Sequence, residues 1–254
     1  MHAPSHPRFR AFVLALGIAA GTALAAPSSV AQTHEDPLEG FNRGVFAVNQ
    51  VIDGAFLEPA AMGYRFFVPE YGRDRVGDVL GNLAEPVRFV NALLQGDPDA
   101  AGNTLGRFFI NSTLGLGGLF DVAAHLEPPY DREVERGREF GVTLGKWGWE
   151  ESTYLVLPLF GPSTVRDGIG LGLDAVSTPW FWVFPSEASW AVTGVGVVHV
   201  RESVLDQLDD LERSSLDFYA SLRSIYLQRR DFLIRGEGAE VPADIFDEFE
   251  DELY

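Results

Sequence analysis

Few side chains in this sequence are suited to covalent or metal chemistry. Histidine, the commonest metal ligand, is scattered along the chain, and only His125 and His199 fall within the predicted fold. Neither has a second ligand at metal-binding spacing, so both are expected to be ordinary structural histidines. Ser163 lies in Gly161-Pro-Ser-Thr-Val165, which lacks the last glycine of a nucleophile elbow, so Ser163 is predicted to cap a helix. The Gly168-Ile-Gly-Leu-Gly172 run follows no strand–helix–strand pattern. The sequence therefore predicts no enzyme, no metal site and no cofactor.

The chemistry that the sequence does favour is contact with an apolar, flexible ligand. Between Arg107 and Asp121 there is no charged side chain, yet the run is too short for a membrane-spanning helix, which needs about 17–25 apolar residues. It carries three glycines, each of which costs a helix interior up to about 1 kcal/mol relative to alanine. One interpretation is a buried helix–turn–helix with a glycine turn. The other is a wall along which an acyl chain lies, because glycines allow a close approach.

The second unusual stretch is Thr178-Pro-Trp-Phe-Trp-Val-Phe-Pro185. Its aromatic residues fit neither a standard helix face nor a strand. Tryptophan and phenylalanine are favoured where hydrocarbon meets headgroups and water. We expect either a hydrophobic plug or a membrane-interface element, with Trp180, Phe181, Trp182 and Phe184 as its candidates.

Helical segments must position these two stretches. Asp36 is predicted to be an N-cap, with Pro37 at the first helical position and Glu39 at the capping-box position. Asp53-Gly54 is predicted to end this first helix, and Pro86 to break or kink a helix over residues 71–95. Asp97-Pro98 is predicted to start the next helix by the same Asp-Pro device.

The second half of the chain is also mostly helical in pattern. Tyr154–Pro158 is the one convincing extended segment, and because its partner strand is not obvious, a lone hairpin, a loop and a sheet all stay open. Residues 186–211 are predicted to form one long helix, and Asp217 to open a last helix that ends at Gly236 and turns Leu216 inward. The predicted fold class is all-α, with helices broken by glycine and proline and one short β-hairpin at most.

Composition and the two ends of the chain give a predicted domain organisation and location. The net charge of −18 repels phosphate backbones, so no nucleic acid is expected as a partner. Residues 1–31 have two arginines, a short apolar core and a small-x-small site, which is typical of a cleaved signal peptide. Residues 32–236 form the predicted helical domain. Residues 237–254 are strongly acidic and are predicted to be a mobile tail.

Several blocks of this sequence resemble the MlaA (VacJ) family of outer-membrane proteins. The resemblance runs in order from about residue 35 to residue 235. Its blocks are Asp36–Arg43 (with Asp36, Pro37, Glu39, Phe41 and Asn42), Gly81–Pro86, Val90-Asn91, Gln95–Pro98, Arg107–Gly118, Phe140–Gly145, Leu157–Gly161, Arg166-Asp167 and Ser215–Phe232.

This resemblance implies a ring-like helical bundle embedded in the periplasmic leaflet of the outer membrane. In such a protein an amphipathic channel takes mislocalised phospholipid from the outer leaflet to a periplasmic lipid-carrier protein, and a trimeric porin is a partner. Backbone freed by helix breaks is tolerable where it lines a wet channel. The residues proposed for the apolar wall of the channel are Phe108, Phe109, Leu114, Gly115, Gly117, Gly118 and Leu119, and those for its polar side are Arg107, Asn111 and Arg166.

The sequence departs from the family in one respect and leaves two other functions open. The chain has no cysteine, whereas the family carries a lipidated cysteine after its signal. We therefore expect cleavage by ordinary signal peptidase and retention by embedding and porin contact. The runner-up function is a porin-associated envelope adaptor that conducts no lipid. An esterase comes third, because no histidine is placed to activate a serine.

Overall fold

The computed structural model describes residues 36–126, 130, 137–150 and 152–236. The predicted signal peptide and acidic tail lie outside the described residues. The described elements are helices α1 Glu39–Ile52, α2 Glu58–Phe67, α3 Glu70–Leu94, α4 Pro98–Thr113 and α5 Phe140–Lys146, strands β1 Tyr154–Leu157 and β2 Gly161–Thr164, and helices α6 Val165–Ser177, α7 Trp180–Val183, α8 Ser186–Ser203, α9 Leu205–Ser214 and α10 Phe218–Arg235. A 3₁₀ turn, Ala123–His125, follows α4. The predicted helical class with one hairpin is confirmed.

The first α-helix begins later than predicted, and the chain stays helical beyond its predicted end. The Asp36 carboxylate accepts the Leu38 amide at 3.2 Å, but Leu38 is the N-cap and the helix starts at Glu39. Asp36 is instead drawn into a tertiary contact, because the Tyr219 hydroxyl donates to it. The α-helix ends where predicted, since Ile52 is its last residue and Asp53 is its C-cap. The chain passes through a π-helical turn, Asp53–Leu57, into α2, and Arg201 of α8 binds the Asp53 carboxylate at 2.8 Å.

Pro86 was predicted to break or kink its helix, and the break is wrong, because α3 runs through it without interruption. The proline removes one backbone donor, and the extensive packing of α3 against α4 compensates for that loss. The Asp97-Pro98 start is confirmed, because the Asp97 side chain accepts the Ala100 amide at 2.9 Å. The predicted long helix over 186–211 is two helices that meet at Val204, and Leu216 is fully exposed rather than inward.

Helix α1 covers the outer edge of the hairpin. Strand β1 pairs antiparallel with β2, which leaves its other edge open. Asn42 occupies that edge by accepting the Val156 amide at 2.9 Å and donating to the Tyr154 carbonyl at 3.2 Å. Two turns along the helix, Asn49 bonds the Leu157 carbonyl and the Leu159 amide in the same way. Two side-chain amides on one helix face thus replace a third strand, which protects the edge from unwanted pairing.

The interior is polar and much of the surface is apolar. Among the described residues, more polar or charged side chains than hydrophobic ones are buried, and many of the buried hydrophobic residues are alanines. The largest apolar cluster is aromatic and joins the hairpin to α10 through Tyr154, Val156, Tyr219 and Tyr226. Large apolar side chains are meanwhile exposed on most helices. This distribution is the reverse of the one expected for a protein surrounded by water on all sides.

Candidate functional site

The glycine-rich segment after α4 is a tight turn folded back on the protein. A Cβ at Gly115 would lie 2.5 Å from the Asn111 carbonyl oxygen, and a Cβ at Gly118 would lie 2.8 Å from Asn82 Cγ of α3. Gly118 also has a positive φ of 90°. Gly117 has a positive φ too, but open space around it. Two of the three glycines are therefore required by close packing, and the third by backbone conformation.

The polar candidates Arg107 and Asn111 hold this turn in place. Arg107 is 1% exposed, and its guanidinium donates to both Asp121 oxygens at 3.1 and 3.0 Å and to Glu85 of α3 at 3.4 Å. Asn111 donates to Asp121 at 2.8 Å and accepts the Ala123 amide at 2.9 Å. Each group thus has its partners inside the fold. Their assignment to the polar side of a channel stays a prediction.

The third polar candidate, Arg166, belongs to a second buried cluster. Arg166 binds Asp167 at 2.9 Å and the carbonyl oxygens of Trp149 and Glu150. Arg230 of α10 binds the same Asp167 at 2.7 Å. Burial alone would raise the pKa of Asp167, but the charges of Arg230 and Arg166 outweigh it and hold that pKa below its usual range. This cluster joins α6 to α10.

The predicted capping role of Ser163 is wrong. Ser163 lies in β2 opposite Leu155, and the N-cap of α6 is its neighbour Thr164, whose hydroxyl accepts the Asp167 amide at 3.1 Å. Both residues are buried, and both types favour N-caps, so the sequence alone could not decide between them.

The apolar candidates lie at the surface. Phe109, Leu114 and Leu119 are exposed, Leu114 by 67%, while Phe108 is half-buried and in edge-to-face contact with Phe109. Between the glycines, Leu116 is also exposed and has a φ of 54°, an uncommon conformation for a leucine. The turn therefore presents a patch of leucines and a phenylalanine outward. Whether these residues line a channel stays a prediction.

The aromatic stretch forms the single-turn helix α7. Trp180 is buried, and its carbonyl oxygen accepts a hydrogen bond from Ser189 of α8. Trp182 is 73% exposed, and Phe181 and Phe184 are exposed to a lesser degree. One ring thus anchors the turn and the others face outward, so the stretch has features of both the plug and the interface element that we expected.

The family-motif residues at the start of the chain have separate roles. Asp36 makes a tertiary contact with α10 and Asn42 with the hairpin. Asn42 also donates to Asp36 at 3.0 Å. Glu39 pairs with Arg43 at the surface, and Phe41 is exposed. Pro37 is exposed next to Asp36.

An apolar surface that the sequence did not lead us to expect runs from the end of α1 through the π-helical turn to α2. Val51, Phe56, Phe66 and Phe67 are each at least 70% exposed. The sequence does contain a signal for this surface, because large apolar residues lie on more than one face of the helix. A helix that only packs against a core needs a single apolar stripe. Together with the turn after α4 and α7, this surface makes three exposed apolar regions.

In the described part of the chain, neither a metal-binding group of side chains nor a helix able to cross a bilayer is present. There the structure holds no group of side chains that could bind a metal ion. His199 contacts the Tyr64 hydroxyl and His125 the Asp121 carbonyl oxygen, as structural histidines do. None of the helices in the described ranges combines the length and apolar character that crossing a bilayer requires.

Comparison with known proteins identifies the family. A sequence model of the MlaA lipoprotein family matches residues 34–233. The intermembrane phospholipid transport system lipoproteins MlaA of Shigella flexneri and Escherichia coli (strain K12) are each 37% identical over 232 residues, which cover 90% of both chains. A solved structure from work on the structural basis for maintaining bacterial outer-membrane lipid asymmetry is 39% identical, with a TM-score of 0.69 over 79% of this chain and 100% of that chain. The chain therefore belongs to the MlaA lipoprotein family.

Proposed function

We propose that this protein is the outer-membrane component of a phospholipid transport pathway. In this proposal it lies in the periplasmic leaflet, takes mislocalised phospholipid from the outer leaflet through an amphipathic channel, and passes it to a periplasmic carrier. A porin trimer is its partner in the membrane. The proposal follows the names of its relatives and is supported by the structure's polar interior and apolar surface.

The reversed distribution of side chains is the observation that carries the proposal. Exposing a phenylalanine or leucine instead of burying it costs roughly 1.5–3 kcal/mol in water. Phe66, Phe67 and Trp182 are each exposed by more than 70%, and the turn after α4 adds Leu114 and Leu116. A hydrocarbon surrounding removes this cost. Helices too short to span are compatible with a protein that lies in one leaflet.

The buried arginine clusters fit the same proposal in a structural role. Apolar solvent around the protein does not drive its helices together, so polar contacts must contribute to their association. Arg107 joins α4 to α3, Arg230 joins α10 to α6, and Arg65 of α2 binds Glu202 of α8 at 2.9 Å. In this proposal the exposed apolar residues contact lipid, and the arginines fix the frame that presents them.

The test is the amount of phospholipid in the outer leaflet, measured with a membrane-impermeant amine-reactive dye. We expect loss of the gene to raise labelling and the wild-type gene to reverse it. A Phe109→Ser, Leu114→Ser variant should fail to reverse it, because the substitutions remove part of the proposed apolar wall. Leu216→Ser, which removes an exposed leucine elsewhere, is the matched control and should restore low labelling.

The other outcomes separate the alternatives. Unchanged labelling after loss of the gene would contradict the transport function and favour the porin-associated adaptor. Full restoration by the Phe109→Ser, Leu114→Ser variant would show that the wall is wrongly assigned while the transport function stands. Each variant must first be shown to reach the outer membrane in normal amounts. Co-purification with a porin trimer tests the partner separately.

A further inference from the structure

Lysine occurs once in the chain, as Lys146, the last residue of helix α5. Two tryptophans follow it, Trp147 and Trp149, and they are separated by Gly148, whose φ of 108° favours a glycine. The lysine and both tryptophans are exposed. The proposed function gives no role to this group of side chains, which we call the Lys146 corner.

The ammonium group of Lys146 makes no ion pair within the described part of the chain. Its Nζ donates to the side-chain oxygen of Gln95 at 3.0 Å. The same oxygen accepts from Arg138 at 2.8 Å, and Arg138 also binds the Asp97 carboxylate. Partial burial and the charge of Arg138 lower the pKa of Lys146, and the charge of Asp97 opposes them only in part. An ammonium has three N–H donors, so the Lys146 ammonium would gain from an additional anionic partner.

Apolar side chains lie next to this cation, at the end of α3. The Trp147 indole N–H donates at 2.9 Å to the carbonyl oxygen of Leu94, the last residue of α3. That bond holds the ring in place although it is 59% exposed, and Leu93 and Leu94 are exposed beside it. The Trp149 backbone is held as well, because its amide donates to the Leu144 carbonyl oxygen at 3.1 Å. The corner thus combines one cation with an ordered apolar surface.

This combination matches the level of a lipid layer at which hydrocarbon meets phosphate. Tryptophan is favoured there because its ring is apolar while its N–H is polar. A lysine can place its apolar stem along hydrocarbon and keep its ammonium among charged groups. A soluble anion would engage the cation and leave the tryptophan and leucine side chains in water. A phospholipid satisfies both parts of the corner.

We propose that the Lys146 corner binds a phospholipid at the membrane surface. The Lys146 ammonium donates to oxygens of the phosphate, and the glycerol and the first acyl carbons lie along Trp147 and Leu93. Because every phospholipid carries this phosphate, no headgroup preference is expected. The site holds the protein at the level of the headgroups and is not a step of the transport route. It rests on the proposed function only in placing the protein among phospholipids.

The single lysine makes this contact measurable in the wild-type mature chain. Purified protein in dodecyl maltoside micelles is treated with an amine-reactive ester, and peptide mass spectrometry gives the rate of acylation at Lys146. The micelles contain either phosphatidylcholine or a diacylglycerol with the same acyl chains and no phosphate. We expect phosphatidylcholine to slow the labelling about tenfold relative to diacylglycerol, as one charge-assisted hydrogen bond allows. Equal rates would overturn the site.

Removing an indole ring tests the apolar part of the corner. Trp147→Ala should reduce the effect of phosphatidylcholine to about threefold or less, because the lipid loses its contact with the ring. Trp190→Ala is the matched control, since Trp190 is a 69% exposed tryptophan of α8, and it should keep the full effect. If Trp147→Ala lowers the unfolding temperature, Trp149→Ala makes the same test with the other ring. An undiminished effect in both Trp147→Ala and Trp149→Ala would overturn the apolar part of the site.

Two further experiments distinguish the lipid from other ligands. Inorganic phosphate is added to lipid-free micelles at the concentration used for the lipid. Equal slowing by inorganic phosphate would mean that the site serves a soluble anion, and it would overturn the lipid assignment. Slow labelling in isolated outer membranes, together with equal rates in the two kinds of micelle, would assign the corner to a protein partner instead.

The site and the proposed function can fail separately. Transport is decided by the amount of phospholipid in the outer leaflet, and the labelling rate of Lys146 does not enter that measurement. Equal labelling rates in the two kinds of micelle contradict only the site. Unchanged outer-leaflet phospholipid after loss of the gene contradicts only the transport function.

Discussion

Replacing Phe66 and Phe67 by aspartate tests whether the apolar surface of α2 contacts a membrane. The two rings are 82% and 80% exposed and contact each other edge to face. Burying a phenylalanine side chain contributes about 1.5–3 kcal/mol. With four fifths of each ring available to lipid, we expect about 2 kcal/mol from each, or about 4 kcal/mol for the pair. Since 1.4 kcal/mol corresponds to a factor of ten, membrane partitioning should fall about a thousandfold.

The assay is flotation of the purified protein with neutral phosphatidylcholine vesicles, after dilution from detergent. Neutral lipid is chosen because the net charge of −18 would be repelled by an anionic surface. Arg213→Asp is the control, because it also lowers the net charge by two at an exposed position, on the charged helix α9. It should float as the wild type does.

The prediction also covers stability. Substitutions of exposed side chains usually change the free energy of unfolding by less than about 0.5 kcal/mol. The Phe66→Asp, Phe67→Asp variant should therefore keep the unfolding temperature of the wild type in detergent. Wild-type flotation by this variant would refute the assignment of α2 as a membrane contact. A large drop in unfolding temperature would show that the two rings belong to a core.

Three further predictions concern stability. Gly118→Ala should lower the free energy of unfolding by about 1–3 kcal/mol, because the new Cβ meets α3 and the φ of this residue is 90°. Gly102→Ala, in open space on α4, is the control and should slightly raise the free energy of unfolding. Equal denaturant midpoints for the two variants would contradict the packing argument. Asn42→Ala should cost about 1–3 kcal/mol and speed amide exchange at Val156, which loses its acceptor; unchanged exchange would mean that water replaces the side chain. The pKa of Asp174 is raised by burial to about 7, so its folded form binds a proton that the unfolded form releases. The contribution of Asp174 to stability is full below about pH 4, where both forms are protonated, and it is lost as the pH rises towards 7. Asp174→Asn should therefore flatten this part of the pH dependence of the unfolding temperature. An unaltered profile would mean that other groups cause the pH dependence.

Local signals in the sequence identified several elements correctly. The Asp97-Pro98 start and the Asp217 cap of α10 follow from interactions within a few residues, and both side chains accept the amide three positions on. Asp36 carries the same signal, yet the helix starts later there, because its carboxylate binds Tyr219 far along the chain. A capping pattern therefore predicts a helix start well only where the cap residue has no competing tertiary partner.

The burial of charged residues could not be predicted from the sequence. The family resemblance makes Arg107 a candidate for the polar side of a channel, because a phospholipid headgroup needs polar or cationic partners. Asp121, the partner of Arg107, closes the apolar run that Arg107 begins, but Glu85 comes from another helix, and only the packing of α3 on α4 brings the three together. The shared role of the two asparagines on α1 was easier to predict from the sequence. Asn42 and Asn49 are seven residues apart on an otherwise apolar face, a spacing that places both on the same side of a helix.

The way α1 covers the hairpin has a consequence for the order of folding. The bond from Asn42 to the Tyr154 carbonyl spans 112 positions, and that from Tyr219 to Asp36 spans 183. A chain that emerges from its amino end releases α1 first and its binding partners much later. Contacts of such separation form slowly, and incompletely folded chains expose apolar surface. Val45 and Phe46 of α1, which pack against the hairpin and α10 in the finished fold, therefore stay uncovered until α10 has been made, and any chaperone that escorts the chain would have to cover them until then.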